Sequence, residues 1–367
     1  MNTIDRANIL ATLAYCSCLL LIACSPAPIQ SEQTLFNGAL NAGEQSLQVS
    51  PGQAINLPLD HQAHPQYAVE WWYLTANLFD QDGNQYPIQW TLFRFRSNDN
   101  KNAWHDGNQY MAHAKLMSSQ ETWFAERFAR GGVGNVAAEF DDSGNNFSAY
   151  IDDWRWQAKG EDLLPAMLWF NLTDNVSVDL SLHSKQPYVL HGTHGYSIKQ
   201  ASSEHASMYY SQPFIQLNGT LTLPNNVVEV SGQGWFDHEW SARLSDPSTN
   251  GWDWFSLHLD DGNKLMIFRV RHPSSSEDWF GSYMTATGDI TALKAQDITA
   301  KVKKTTLIAD KDLPLHWTIS VPRFGIALEV TPFKPDQYTD ASFSYYEGAV
   351  AVHGSHAGVG FIELTGY

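Results

Sequence analysis

"EWWYLTANLFDQDGNQYPIQWTLFRFR" occupies Glu70–Arg96 and reads as two β-strands around one turn. Asp82-Gly83-Asn84 between alternating apolar and polar runs is a hairpin signal, because glycine supplies the positive φ that a tight turn needs. A second stretch, "GWDWFSLHLDDGNKLMIFRVR" at Gly251–Arg271, repeats the order of features: aromatic cluster, strand, Asp-Gly-Asn turn, strand, then an Arg-Phe/Val-Arg ending. The echo predicts two related β-domains, the second starting near Ser241. "VSVDLSLHS", "IQLNGTLTL" and "VVEVSGQGWF" add further strands, the last two joined through "PNN". Helical spacing is confined to "SSQETWFAERFAR" ahead of Gly131-Gly132, and a helix is expected there. Many strands and almost no helix argue for an all-β chain of antiparallel sandwiches or barrels.

The N-terminus has a different character. Arg6 precedes an apolar run from Ile9 to Ala23 that is short for a membrane span and suits a signal segment. Leu21-Ile22-Ala23-Cys24 resembles the lipobox of bacterial lipoproteins, which implies cleavage after residue 23 and a lipid on Cys24. Residues 24–54 are polar and punctuated by proline and glycine, the composition of a tether. Domains are then expected at 55–240 and 241–367. The three cysteines are Cys16, Cys18 and Cys24, so a chain processed at Cys24 has no disulfide, no cysteine-based zinc site and no cysteine nucleophile. The expected location is the bacterial cell envelope, anchored by lipid and facing the periplasm, at the outer membrane.

A net charge of −17 excludes a nucleic-acid partner, which would call for a basic face. The 14 tryptophans are more telling, since indole supplies large apolar area together with a polar handle that suits a pocket wall. They crowd around acids in "GWFDHEWSARLSDPSTNGWDWFSLHLDDG", Gly234–Gly262. Period-two alternation puts Trp235, Asp237 and Glu239 on one face, and Phe236, His238 and Trp240 on the other. It groups Trp252, Trp254, Ser256 and His258 against Asp253, Phe255 and Leu257. It also separates Glu70, Trp72 and Leu74 from Trp71, Tyr73 and Thr75. A carboxyl group beside indoles is disfavoured in its charged form, so its pKa rises towards the range of a proton donor. Tryptophan faces also stabilise a cation. The alternative is structural: Glu70 and Asp253 satisfied in the core by Arg94, Arg96, Arg269 or Arg271.

Metal chemistry has no spacing signature. The pairs His61/His64, His191/His194 and His353/His356 do not form His-Glu-x-x-His, although His113, His194 and His238 could converge in space. No Gly-x-Ser-x-Gly elbow marks a serine hydrolase, and neither "GTHGYS" nor "GSHAGVG" sits in a phosphate-loop context. No metal and no cofactor are expected.

"LPLDHQAHPQYAVEWWYLTANL", "HGTHGYS", "MYYSQP", "GQGWFDHEWS", the second hairpin and "YYEGAVAVHGSHAGVGFIELTGY" together resemble AttH-like secreted proteins of the carotenoid 1,2-hydratase (hydroxyneurosporene synthase) family, whose members often carry a secreted-hydrolase label. The resemblance covers about Leu57 to Tyr367. It implies two lipocalin-like antiparallel β-barrel domains with a cavity near their junction. The hydratases' His-x-Trp pair falls on His238 and Trp240; for their aromatic-x-Asp pair the nearest position is Asp253, with Asp237 as alternative. The first expectation is a binding protein for an apolar or amphipathic, lipid- or polyene-like ligand, walled by Trp71, Trp72, Tyr73, Trp240, Trp252 and Trp254 and oriented by Glu70, His113 and His194. An ABC-type transport system is the implied partner. The alternative is a hydratase, with Asp237 or Asp253 donating the proton and His238 steering water.

Overall fold

The computed structural model describes residues 46–97, 104–199, 205–244, 246, 248–274 and 276–367. The expected signal segment, Cys24 and most of the expected tether lie outside the described residues. At the tether's end, Val49 is buried in the first core and Gln53 donates to the Tyr67 hydroxyl at 2.8 Å.

The chain is all-β. It opens with β1 (Val69–Phe79), β2 (Gln85–Arg96), β3 (Asn108–Met117) and β4 (Thr122–Arg130). Five shorter strands follow: β5 (Val136–Phe140), β6 (Phe147–Ile151), β7 (Trp154–Ala158), β8 (Ala166–Thr173) and β9 (Val176–His183). Two short ones, β10 (Val189–Leu190) and β11 (Tyr196–Ile198), precede the long β12 (Ala206–Leu223) and β13 (Asn226–Ser241). The rest comprises β14 (Gly251–Leu259), β15 (Lys264–Arg271), β16 (Glu277–Met284), β17 (Ile290–Lys294) and β18 (Thr299–Ile308). It ends with β19 (Lys311–Val321), β20 (Ile326–Pro332), β21 (Tyr338–Thr339), β22 (Tyr345–Gly354) and β23 (Gly358–Leu364). Among the described residues, helix is limited to single 3₁₀ turns such as Leu59–His61, and none could cross a membrane.

The first sheet runs β4-β3-β2-β1-β13-β12-β9-β8-β7-β6-β5, and the second β17-β16-β15-β14-β23-β22-β20-β19-β18. In both, a four-strand meander pairs its first strand with the last strand of its sheet, so the echo in sequence is an echo in topology. The two hairpin turns match as well. Asp80 and Asp261 cap the turn amides, while Gly83 and Gly262 take φ of +82° and +86°, which a side chain would oppose. Each sheet curls towards a barrel; β3 and β4 approach β8 across the first interior. Edge strands β4 and β5 are not paired to each other, so the first barrel is a curled sheet rather than a closed ladder.

Alternation fills three cores. One face of β1, β2 and β13 sends Trp72, Leu74, Trp90, Phe236 and Trp240 into the first barrel. Phe255, Leu257, Ile267 and Trp317 fill the second. Between the sheets lie Tyr73, Tyr209, Trp235, Trp254, Met266 and Phe361. Strands buried on both faces read as near-continuous apolar runs, which "EWWYLTANLF" does.

The helix expected at Ser118–Arg130 is instead a turn followed by β4. Ser118 Oγ accepts from the amides of Gln120 and Glu121, and β4 then pairs with β3 along its length. Trp123, Ala125 and Ala129 turn to the core, and Phe124 and Glu126 to the other side against His113. The segment carries both periods, and pairing to an otherwise open strand edge overrides local helical preference.

Candidate functional site

β1, β13, β14 and β23 turn their second faces towards one another, and a cavity of about 90 Å³ opens among them. That is room for several water molecules or the reacting part of a larger ligand. Its walls are aromatic: Trp71, Phe93, Trp252, Trp254, Phe268 and Tyr345. Four acidic groups and one lysine face it, Asp237, Glu239, Asp246, Glu363 and Lys199.

Asp237 is cross-strand partner to Tyr73 on β1 and Ser211 on β12. A bulge between Gln212 and Ile215, at Pro213, shifts β12 by one residue relative to β13. Burial pushes the Asp237 carboxyl up to about 7, against the hydrogen bonds from Ser211 Oγ and Trp235 Nε1 that favour its charged form. Ser211 in turn meets His191 Nε2 at 2.7 Å, and His191 Nδ1 meets Ser282 at 3.0 Å. When Ser211 gives its single proton to Asp237, His191 must donate to Ser211. With Asp237 ionised, that order is the reverse of a base activating a nucleophile. The chain of hydrogen bonds suits return of a proton to Asp237.

A second acid group stands across the cavity. Glu347 and Glu363 are cross-strand partners on β22 and β23. Burial and their mutual repulsion hold Glu347 well above the usual carboxylate range, and burial raises Glu363 to about 7. Tyr73 donates to Glu347 at 2.8 Å and Trp252 Nε1 to Glu363 at 2.6 Å. Two carboxylates so placed cannot both ionise cheaply, so the pair retains a proton. Glu239 is neutralised by Lys199 at 2.7 Å, whose ammonium lies over Tyr209 at 4.4 Å.

The structure brings together Trp71, Tyr73, Asp237, Trp252 and Trp254 of the expected site residues. It sends Glu70, Trp72, His238 and Trp240 to the opposite face, inside the first barrel. His238, expected to steer water beside Asp237, is therefore separated from it by the backbone of β13, because adjacent strand residues point opposite ways. Asp253 is corrected too. It faces the second barrel's interior, held by Arg269 at 2.7 Å, Arg271 at 3.3 Å and the Tyr367 hydroxyl at 2.7 Å. Burial raises its pKa, but two guanidinium groups and a phenol leave it no route to the cavity. His113 backs the Tyr345 wall, its ring stacked at 5.7 Å and its Nε2 bound to Glu126 at 2.8 Å. His194 is exposed on a turn at φ +54°. His113, His194 and His238 do not converge.

Sequence reasoning missed Glu347, Glu363, Lys199, Ser211 and His191. The two glutamates carried a readable signal: alternation along β22 and β23 puts Glu347 with Tyr345 and Ala349, and Glu363 with Phe361, on the face shared by the sheets.

A family model described as AttH-like matches residues 48–367. No curated protein matches the sequence. Among solved structures, the crystal structure of an AttH candidate from Nitrosomonas europaea is similar at 28% identity and a TM-score of 0.75, over 88% of this chain and 99% of that one. Kievitone hydratase from Nectria haematococca is similar at 17% identity and a TM-score of 0.62, over 88% and 96% of the two chains. CghA, solved with Sch210972, is similar at 12% identity and a TM-score of 0.51, over 81% and 88%. These last two share the fold.

Proposed function

The chain belongs to the AttH-like family, and from that premise we propose that its inter-barrel cavity binds a largely apolar, amphipathic ligand of lipid or polyene type. The observation carrying the reading is an aromatic-walled cavity whose polar groups are few and mostly uncharged or paired. Such a surface favours flat unsaturated groups over ions. Retinol is a suitable probe. Quenching of tryptophan fluorescence is expected to saturate, and Trp71→Ala and Trp252→Ala each to weaken binding about tenfold, as loss of one aromatic contact predicts. Wild-type affinity retained in both variants would reject the cavity as the binding place.

A second reading is acid-catalysed hydration, supported by the carboxyl of Asp237 with a pKa of about 7. Asp237 would give its proton to one carbon of a ligand double bond, leaving a carbocation at the other under the faces of Trp71 and Trp254. Water would add to that carbon and lose a proton to the Asp237 carboxylate, restoring the acid. Kievitone hydratase, by its name a hydratase, shares the fold and so makes the reaction class a reasonable one to test.

The proposal extends to location. Leu21-Ile22-Ala23-Cys24 supports lipidation at Cys24 and attachment facing the periplasm at the outer membrane, from which the protein would exchange ligand with an ABC-type transporter. Cys24→Ala is expected to abolish palmitate labelling and release the protein from the membrane fraction; unchanged labelling would remove the anchor from the proposal.

A further inference from the structure

On the barrel face of β13, three side chains far apart in sequence aim donor atoms at one place. His64 Nδ1 lies 2.6 Å from Glu70 Oε1, and His238 Nε2 lies 2.9 Å from the same oxygen. All three donor atoms fall within 4.8 Å of one another. Glu70 and His238 are fully buried, and the His64 side chain is 11% exposed.

The atoms behind these donors are fixed as well. His238 Nδ1 meets the Tyr210 hydroxyl at 3.0 Å, and His64 Nε2 lies 3.4 Å from Asp60 Oδ1. Glu70 Oε2 accepts from Arg94 Nε and from the His64 amide, both at 2.8 Å. The His64 ring stacks on Trp240 at 3.9 Å and the His238 ring on Trp72 at 4.7 Å. A carboxylate or hydroxyl on the far nitrogen of each imidazole, and a bonded second oxygen on the carboxylate, are what orient ligands around a metal.

The second barrel shows what the same position looks like without this elaboration. Asp253 pairs across its hairpin with Arg269 as Glu70 does with Arg94. There, among the described residues, the acid is held by Arg269, Arg271 and Tyr367. A buried acid–arginine pair is therefore sufficient for a barrel of this design, and the two histidines in the first barrel are an addition.

We infer that His64, Glu70 and His238 form a binding site for a divalent transition-metal ion of the zinc type. Two nitrogens and one oxygen from protein make a donor set that zinc takes readily. Metal–ligand bonds near 2.1 Å put tetrahedral donors roughly 3.4 Å apart. From 2.6 and 2.9 Å the two nitrogens must move away from Glu70 Oε1 by roughly 0.8 and 0.5 Å, on the scale of side-chain rotations. The ion would pin the segment carrying His64 to β1 and β13. Because β13 presents Asp237 and Glu239 on its other face, the site stands independently of the ligand proposed for the cavity.

The test is Co²⁺ titration of the EDTA-treated, dialysed protein. One equivalent is expected to produce visible d–d absorption that Zn²⁺ abolishes. His64→Ala and His238→Ala should weaken binding at least 100-fold, and Asp60→Asn, which removes only the orienting carboxylate, 10- to 100-fold. His356→Ala, a surface control on the other barrel, should leave it unchanged. Should His238→Ala not fold, His64→Ala and Asp60→Asn still decide, with folding checked by circular dichroism. Zn²⁺ should also raise the thermal midpoint of wild type but not of His64→Ala. Absence of a one-to-one band in wild type, or an unaltered band in His64→Ala, overturns the site.

Discussion

On the hydration reading proposed above, Asp237→Asn is expected to slow addition of water to an isoprenoid double bond about 10²- to 10⁴-fold while leaving ligand affinity nearly unchanged. The amide keeps the size of the side chain and can still accept from Ser211 and Trp235, yet has no proton to give. The pH profile should have a matching sign. The donor is the protonated carboxyl, so the rate falls as pH rises through about 7. Stability changes in the same direction. The folded chain holds this proton up to about pH 7 while the unfolded chain releases it near 4, so its contribution to stability declines between those values. Asp237→Asn should flatten that decline in urea unfolding measured from pH 5 to 8. Turnover equal to wild type with an unchanged pH midpoint would end the acid role of Asp237 and move the search to Glu363; no turnover in the wild type would leave the binding reading alone.

Arg94→Met should cost about 3–5 kcal/mol of folding stability, the usual penalty for removing one partner of a buried ion pair. Arg94 is fully buried, and each of its three nitrogens donates: Nε to Glu70, Nη1 to Asn108 at 3.0 Å, and Nη2 to the carbonyls of His64 at 2.9 Å and Tyr67 at 3.0 Å. Burial works to raise the Glu70 pKa, but His64, Arg94 and His238 outweigh it and hold the carboxyl well below its usual range. His64 responds in kind, since Glu70 and Asp60 overcome its burial and lift it to about 9. Arg94→Lys should rescue little, because an ammonium cannot span the planar fork. Arg269→Met in the second barrel is the informative comparison. Arg271 and Tyr367 remain on Asp253, so the loss should be smaller. A loss below about 1 kcal/mol for Arg94→Met would show that the two histidines alone stabilise Glu70.

The hairpins were legible because turn chemistry and alternation are local: Asp-Gly-Asn fixes the turn, and period two sorts Trp71 from Trp72 without knowledge of the partner sheet. The same rule separated Asp237 from His238 on paper. What it could not do was say which face met which neighbour. His238 matched a pattern of residue names, but its partners are Glu70 and Tyr210, on two other strands. Asp253 sat between two tryptophans in sequence and beside two arginines in space. His64 and His238 are brought together only by the pairing of β1 with β13, which no spacing rule encodes. At β4 the sequence carried two periods, and a neighbouring strand chose between them.

β13 is a partition wall with different furnishings on its two sides. Its carboxyls belong to the space between the barrels, and its imidazole to the room behind. A slip of one residue against β1 would exchange them, placing an imidazole where a proton donor stands and an acid opposite Tyr210. Length changes in the turn at Pro224-Asn225 lie far enough from this segment to be absorbed, but an insertion between Gly232 and Asp237 would not be. For Asp237-His238-Glu239 the chemistry is thus set by parity as much as by identity. An odd offset disables both rooms at once, even with every residue retained.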